Sequence, residues 1–61
     1  MDKLTLTVME TARTLNISKN VAYALMRKPG FPSIRVGGRW IVPVAALERW
    51  LAEQAEEKAL V

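Results

Sequence analysis

The sequence predicts a small, mostly α-helical domain that carries one β-hairpin. Three observations predict it. Two short stretches with apolar residues at helical spacing each follow a residue suited to capping a helix, and only Asn16-Ile17-Ser18 separates them. Next, Ile34-Arg35-Val36 and Arg39-Trp40-Ile41-Val42 alternate on either side of Gly37-Gly38. Finally, a longer amphipathic run opens beside Pro43. The expected order is a strand-like start, helix, turn, helix, hairpin, helix.

The elements are justified one by one. Leu4-Thr5-Leu6 is short and extended. Thr7-Val8-Met9-Glu10 fits a capping box, in which Thr7 takes the N–H near Glu10 and Glu10 reaches back to the N–H of Thr7. The first helix then runs from about Val8 to Leu15, with Val8, Ala12 and Leu15 on one side. Asn16 breaks it, because Asn tolerates the left-handed conformation of a tight turn. Ser18 caps a second helix from about Lys19 to Arg27. Ala22, Leu25 and Met26 face inward there, and Lys19, Asn20, Tyr23 and Arg27 lie toward the other side. Lys28-Pro29-Gly30 stops this helix, and Phe31-Pro32 continues as loop. Gly37-Gly38 supplies the positive-φ turn of the hairpin, which must pack on the helices to be stable. Pro43 is tolerated near the first turn of a third helix, from about Val44 to Lys58. Leu47, Trp50 and Leu51, with Gln54 and Ala55, form its inner stripe. Met9 and Met26 are expected to fill core space, and Trp40 and Trp50 to anchor it.

These 61 residues make a single domain, 1–61, whose last stretch, 53–61, is expected to fray. Its margin of stability is small, since a chain of about 60 residues buries only about 60% of its unfolded surface. There is neither cysteine nor histidine. Disulfides, thiolate or imidazole metal sites and Ser-His-Asp chemistry are therefore excluded, and no metal or cofactor is expected. The five glutamates all have helical or capping roles, so no catalytic residue is assigned and an enzyme is not expected. No apolar run approaches the ~20 residues of a membrane span, and Met1-Asp2-Lys3-Leu4 lacks a secretory layout. A cytoplasmic location without membrane contact is expected.

The net charge is only +3, but it is unevenly placed. Residues 11–47 contain no acid and carry Arg13, Lys19, Arg27, Lys28, Arg35 and Arg39. The segments on either side are net acidic. A basic middle of this kind suggests one positive face aimed at a polyanion.

The most informative pattern is Ala12-x-x-Leu15-Asn16-Ile17-Ser18-x-x-Val21-Ala22-x-x-Leu25. A small residue at Ala12 lets two helices cross closely. Leu15 and Ile17 bracket the turn, Ser18 caps the second helix, and Ala22 and Leu25 pack it back on the first. The spacing resembles the helix-turn-helix of bacterial regulators, whose second helix enters the major groove. Thr5-Leu6-Thr7-Val8, Val21-Ala22-Tyr23, Phe31 to Trp40 and Pro43 to Leu51 extend the likeness. Together these pieces resemble the excisionase-type helix-turn-helix family, relatives of the MerR-like winged-helix domains. The resemblance implies a winged helix-turn-helix with a helix in the major groove and a hairpin wing along the adjacent backbone or minor groove. The sequence departs from the family's usual pattern at Asn16, Asn20, Ala22, Ala24 and Ile41, which weakens the charge of the second helix.

Within that architecture the candidate DNA-binding residues are Lys19, Asn20, Tyr23, Arg27, Lys28, Arg35, Gly38 and Arg39. Asn20 is the candidate base reader, since an Asn amide pairs bidentately with adenine. Arg35 and Arg39 flank the glycine turn and suit phosphate or minor-groove contact; on a bare hairpin they would be solubilising charges. Gly38 brings bare backbone within reach of a phosphate. Trp40, read as core, has stacking on nucleic acid as its alternative role. The expected partners are double-stranded DNA, an integrase or recombinase, and another copy on adjacent sites, with Leu60 and Val61 as an apolar handle. The competing reading is a protein-interaction adaptor that keeps the scaffold, but an adaptor has no need of an acid-free stretch.

Overall fold

A computed structural model describes residues 3–57. In chain order the elements are β1 (Thr5–Leu6), α1 (Val8–Leu15), α2 (Lys19–Arg27), β2 (Ile34–Val36), β3 (Arg39–Pro43) and α3 (Val44–Glu57). The helix–turn–helix, two-stranded wing and C-terminal helix expected from the sequence are all present, and the fold is a winged helix-turn-helix.

Local chemistry sets the boundaries. At the start of α1 the Glu10 N–H donates to Thr7 Oγ1 at 3.1 Å, and the Thr7 N–H donates to the Glu10 carboxylate at 2.9 Å. This reciprocal pair satisfies donors that a bare helix end leaves open. Asn16 ends α1 at φ 58°, ψ 47°, the left-handed region an amide side chain tolerates. Ser18 Oγ accepts the Val21 N–H at 3.2 Å and starts α2. Gly37 and Gly38 turn the hairpin at φ 56° and 86°, the two positive values a type I′ turn requires.

The core is one cluster of Val8, Ala12, Ala22, Met26, Phe31, Val42 and Leu47. Ala12 and Ala22 are the small residues at the α1–α2 crossing, and Ala22 is wholly buried. Thr11 is buried as well, and its hydroxyl is satisfied by donating to the Thr7 carbonyl at 2.8 Å.

The structure corrects several expectations. The sheet has three antiparallel strands, in the order β1-β3-β2, because Leu4-Thr5-Leu6 does more than extend. Thr5 and Leu6 pair with Pro43 and Val42, and the Val44 N–H donates to the Leu4 carbonyl at 2.9 Å. Pro43 therefore closes β3, one residue beyond the expected strand, and α3 begins at Val44 as the sequence predicts. Met9 is 51% exposed and fills no core, because the face it occupies on α1 lies about 100° from Val8. Leu51 is 41% exposed, so the inner stripe of α3 narrows to Leu47 and Trp50, with Gln54 half-buried and Ala55 exposed. Phe31, expected in a passive loop, is core instead. Trp50 meets its ring edge-on, at 4.9 Å and 82°, so this tryptophan ties α3 to the loop after α2. Trp40 and Trp50 are half-buried against the core, not enclosed by it. Residues 53–57 continue α3; Lys58 and the apolar handle Leu60-Val61 lie outside the described residues.

Candidate nucleic-acid interface

The face of α2 turned from the core carries the candidate contacts. At about 100° per residue, Asn20, Tyr23 and Arg27 fall within an arc of about 60°. All three are exposed, as is Lys19 at the helix start. Ala22 and Met26, about 110° round the helix from the centre of that arc, face the core. The polar stripe is thus fixed by the packing of its own helix, since rotating α2 would bury Tyr23 or expose Met26.

Lys28 sits differently. It caps α2 in an extended conformation, φ −75°, ψ 129°, while its N–H still donates to the Leu25 carbonyl at 3.0 Å. Its side chain borders an apolar groove with Leu25, Val21, Ile17 and Trp50, to one side of the Asn20–Arg27 stripe.

The wing meets α2 across a recess of about 240 Å³. Tyr23 lines it from α2, Gly38, Arg39 and Trp40 from the wing, and Thr7, Val8 and Met9 from the start of α1. The fold therefore brings together Tyr23, Gly38 and Arg39, which lie up to sixteen positions apart in the chain. Lys19, Asn20, Arg27 and Arg35 do not line the recess. Arg35 instead lies with its guanidinium carbon 5.3 Å from the centroid of the Trp40 ring.

Four recess residues, Thr7, Val8, Met9 and Trp40, lie outside the candidate set read from the sequence. Met9 was assigned to the core, although its place one step from Val8 already turned it outward. Trp40, expected as a core anchor with stacking on nucleic acid as its alternative role, is half-buried and by strand alternation shares a face with buried Val42. Its cross-strand partner, Arg35, was the available signal.

Electrostatics favour an anionic ligand here. Glu10, the nearest acid in sequence to the recess-lining residues of α1, is paired with Lys3. The hydrogen bond from Lys3 holds its carboxyl below the usual glutamate range, with the Thr7 backbone hydrogen bond adding to the effect. Every other described acid lies on α3, at Glu48, Glu53, Glu56 and Glu57. No group of three carboxylate, His or Cys side chains able to hold a metal occurs among the described residues. Nor is any helix of the described residues long and apolar enough to cross a membrane.

The class this geometry defines is a helix-turn-helix unit with a basic wing. The chain matches the family model of the helix-turn-helix domain over residues 5–55, and it belongs to that family. No curated protein and no solved structure matches it. The matched span runs from β1 into α3, so the wing and the covering helix are as much part of the family likeness as the two short helices.

Proposed function

We propose that this chain binds double-stranded DNA sequence-specifically, with α2 in the major groove and the hairpin as a basic wing. One observation carries the reading. Tyr23, the member of the exposed Asn20–Tyr23–Arg27 stripe that lines the recess, faces the wing residues Gly38 and Arg39 across it, and all five lie inside a stretch without acids. Asn20 reads a base, Tyr23 and Arg39 meet the backbone on either side of the recess, and Lys19, Arg27 and Arg35 add phosphate or groove contacts. The role is binding and not catalysis. The excisionase and MerR likeness supports use as a recombination accessory factor or as a small transcription regulator in the cytoplasm. An integrase or a second copy on adjacent DNA is the partner each use implies.

The adaptor reading has its own observation. The groove lined by Leu15, Ile17, Val21, Leu25, Trp50 and Leu51 is apolar and open. It lies beside the polar stripe, so a protein seated there would leave α2 free for DNA; the two readings are compatible, and the charge favours DNA.

The test begins with duplexes selected from a random pool. With four to six phosphate contacts and about 0.9 counterions released at each, the log–log salt slope is about −4 to −5. A slope near zero overturns the reading. On the selected site, Asn20→Ala loses discrimination at one base pair by about 1–3 kcal/mol, whereas Arg39→Ala weakens all sequences evenly. An unchanged preference profile in Asn20→Ala would move base reading elsewhere.

A further inference from the structure

We infer that Trp40 is a positioning residue for DNA binding, its ring holding the Arg35 guanidinium in place on the wing; the inference rests on the DNA-binding reading above. The register pairs Arg35 directly with Trp40 across the hairpin, so both side chains stand on one face of the sheet. The guanidinium carbon lies over the ring at 5.3 Å, within the ~6 Å range in which a ring face attracts a cation.

The two partners differ in freedom. Trp40 is half-buried, packed against the core cluster, and shares its face with the wholly buried Val42. Its ring is therefore a fixed platform. Arg35 is exposed on β2, an edge strand in which every residue is exposed. An exposed arginine spreads over many rotamers and loses that freedom when it meets a phosphate. Laid on the ring, it has lost much of it before DNA arrives. Stacking uses the face of the guanidinium and leaves N–H donors at its edge for an anion. The same ring lines the recess opposite Tyr23, so the ordered cation stands beside the surface assigned to DNA. Arg39, paired with Val36, has no such platform in its register. The two wing arginines are thus unequal: one is pre-ordered and one is free.

The experiment is a double-mutant cycle on the selected duplex, read as affinity and salt slope with the full chain. Arg35→Ala should weaken binding and make the salt slope shallower by about 0.9. Trp40→Leu should weaken binding about two- to fivefold, the size of an exposed cation–π contact. Trp40→Phe should restore most of that loss. In an Arg35→Ala background Trp40→Leu should cost nothing further. Equal losses from Trp40→Leu with and without Arg35 overturn the inference while leaving DNA binding intact. A wild-type salt slope near zero removes the DNA-binding reading and the inference with it. Should Trp40→Leu fail to fold, the free wild-type protein still decides: the Arg35 Cδ protons must be shifted upfield by the ring current and keep that shift in Trp40→Phe. Absence of any such shift in the wild type overturns the stack.

Discussion

Phe31→Leu tests how the covering helix is fastened. Phe31 is buried, and its ring meets Trp50 edge-on at a centroid distance of 4.9 Å. An edge-to-face pair contributes about 0.5–1.5 kcal/mol beyond its buried area. Leucine keeps most of the volume, and such swaps cost less than about 1.5 kcal/mol in packing. The expected loss is about 1–3 kcal/mol. For a domain this small each kcal/mol moves Tm by about 4–8 °C, so the fall is about 4–24 °C in a far-UV circular dichroism melt. Trp50→Leu removes the same contact from the other side, so the double variant must lose less than the two singles together, by about 0.5–1.5 kcal/mol. Additivity to within about 0.3–0.5 kcal/mol would refute the claim that this contact clamps α3 to the loop between α2 and the wing. Binding to DNA well below the melting temperature should change little in either variant, because neither ring lies on the α2 stripe or in the recess.

Other expectations follow from the turn, the cap and the C-terminal helix. Asn16 occupies the left-handed region, so Asn16→Gly should leave Tm nearly unchanged while Asn16→Ala costs about 1–2 kcal/mol in denaturant titration. The Glu10 carboxyl is held below its ordinary value in the fold, so its contribution is fully present above the unfolded value and is lost as pH falls through the folded one. Tm should therefore drop more steeply on acidification in the wild type than in Glu10→Gln, measured from about pH 5 to about pH 3. Removing residues 53–61 should leave affinity for one isolated site nearly intact and weaken cooperative binding to adjacent sites. Loss of single-site binding would assign that segment to the fold or to the DNA surface.

The helices were legible because their signals are local. Thr7, Glu10, Asn16 and Ser18 mark ends by side-chain chemistry that acts within three residues, and α1 begins and ends, and α2 begins, where those residues predict; Lys28-Pro29-Gly30 does the same for the end of α2. Gly37-Gly38 is legible for the same reason. What the sequence hid is non-local. Two residues, Thr5 and Leu6, carry too little pattern to announce a strand, and only the approach of β3 makes them one. Phe31 lies outside any periodic segment, so nothing nearby marks it as core. Residue type misplaced Met9 and periodicity misplaced Leu51, since a stripe about 100° wide leaves its margins to be decided by what packs there. The α2 contacts were legible as the polar side of a helix whose Ala22 and Met26 face the core. The recess was not, because it forms only when β1 and β3 draw the wing against the start of α1.

That last step links the cap to the interface. The wing hangs from the body by β3, since β2 is an edge strand with all its residues exposed. β3 is in turn held by β1, and β1 runs through Thr7 straight into α1. Thr7 is thus both the cap of α1 and a wall of the recess. Fixing the first turn of α1 fixes where β1 leaves it, hence the slope of β3 and the gap between Tyr23 and Arg39. A residue far from any base can in this way set the spacing of two DNA contacts. Weakening the box with Thr7→Ala should therefore act on the wing more than on α2, lowering affinity for all duplexes while the base preference conferred by Asn20 persists. A changed base preference in Thr7→Ala would show that α1 governs the placement of α2 instead.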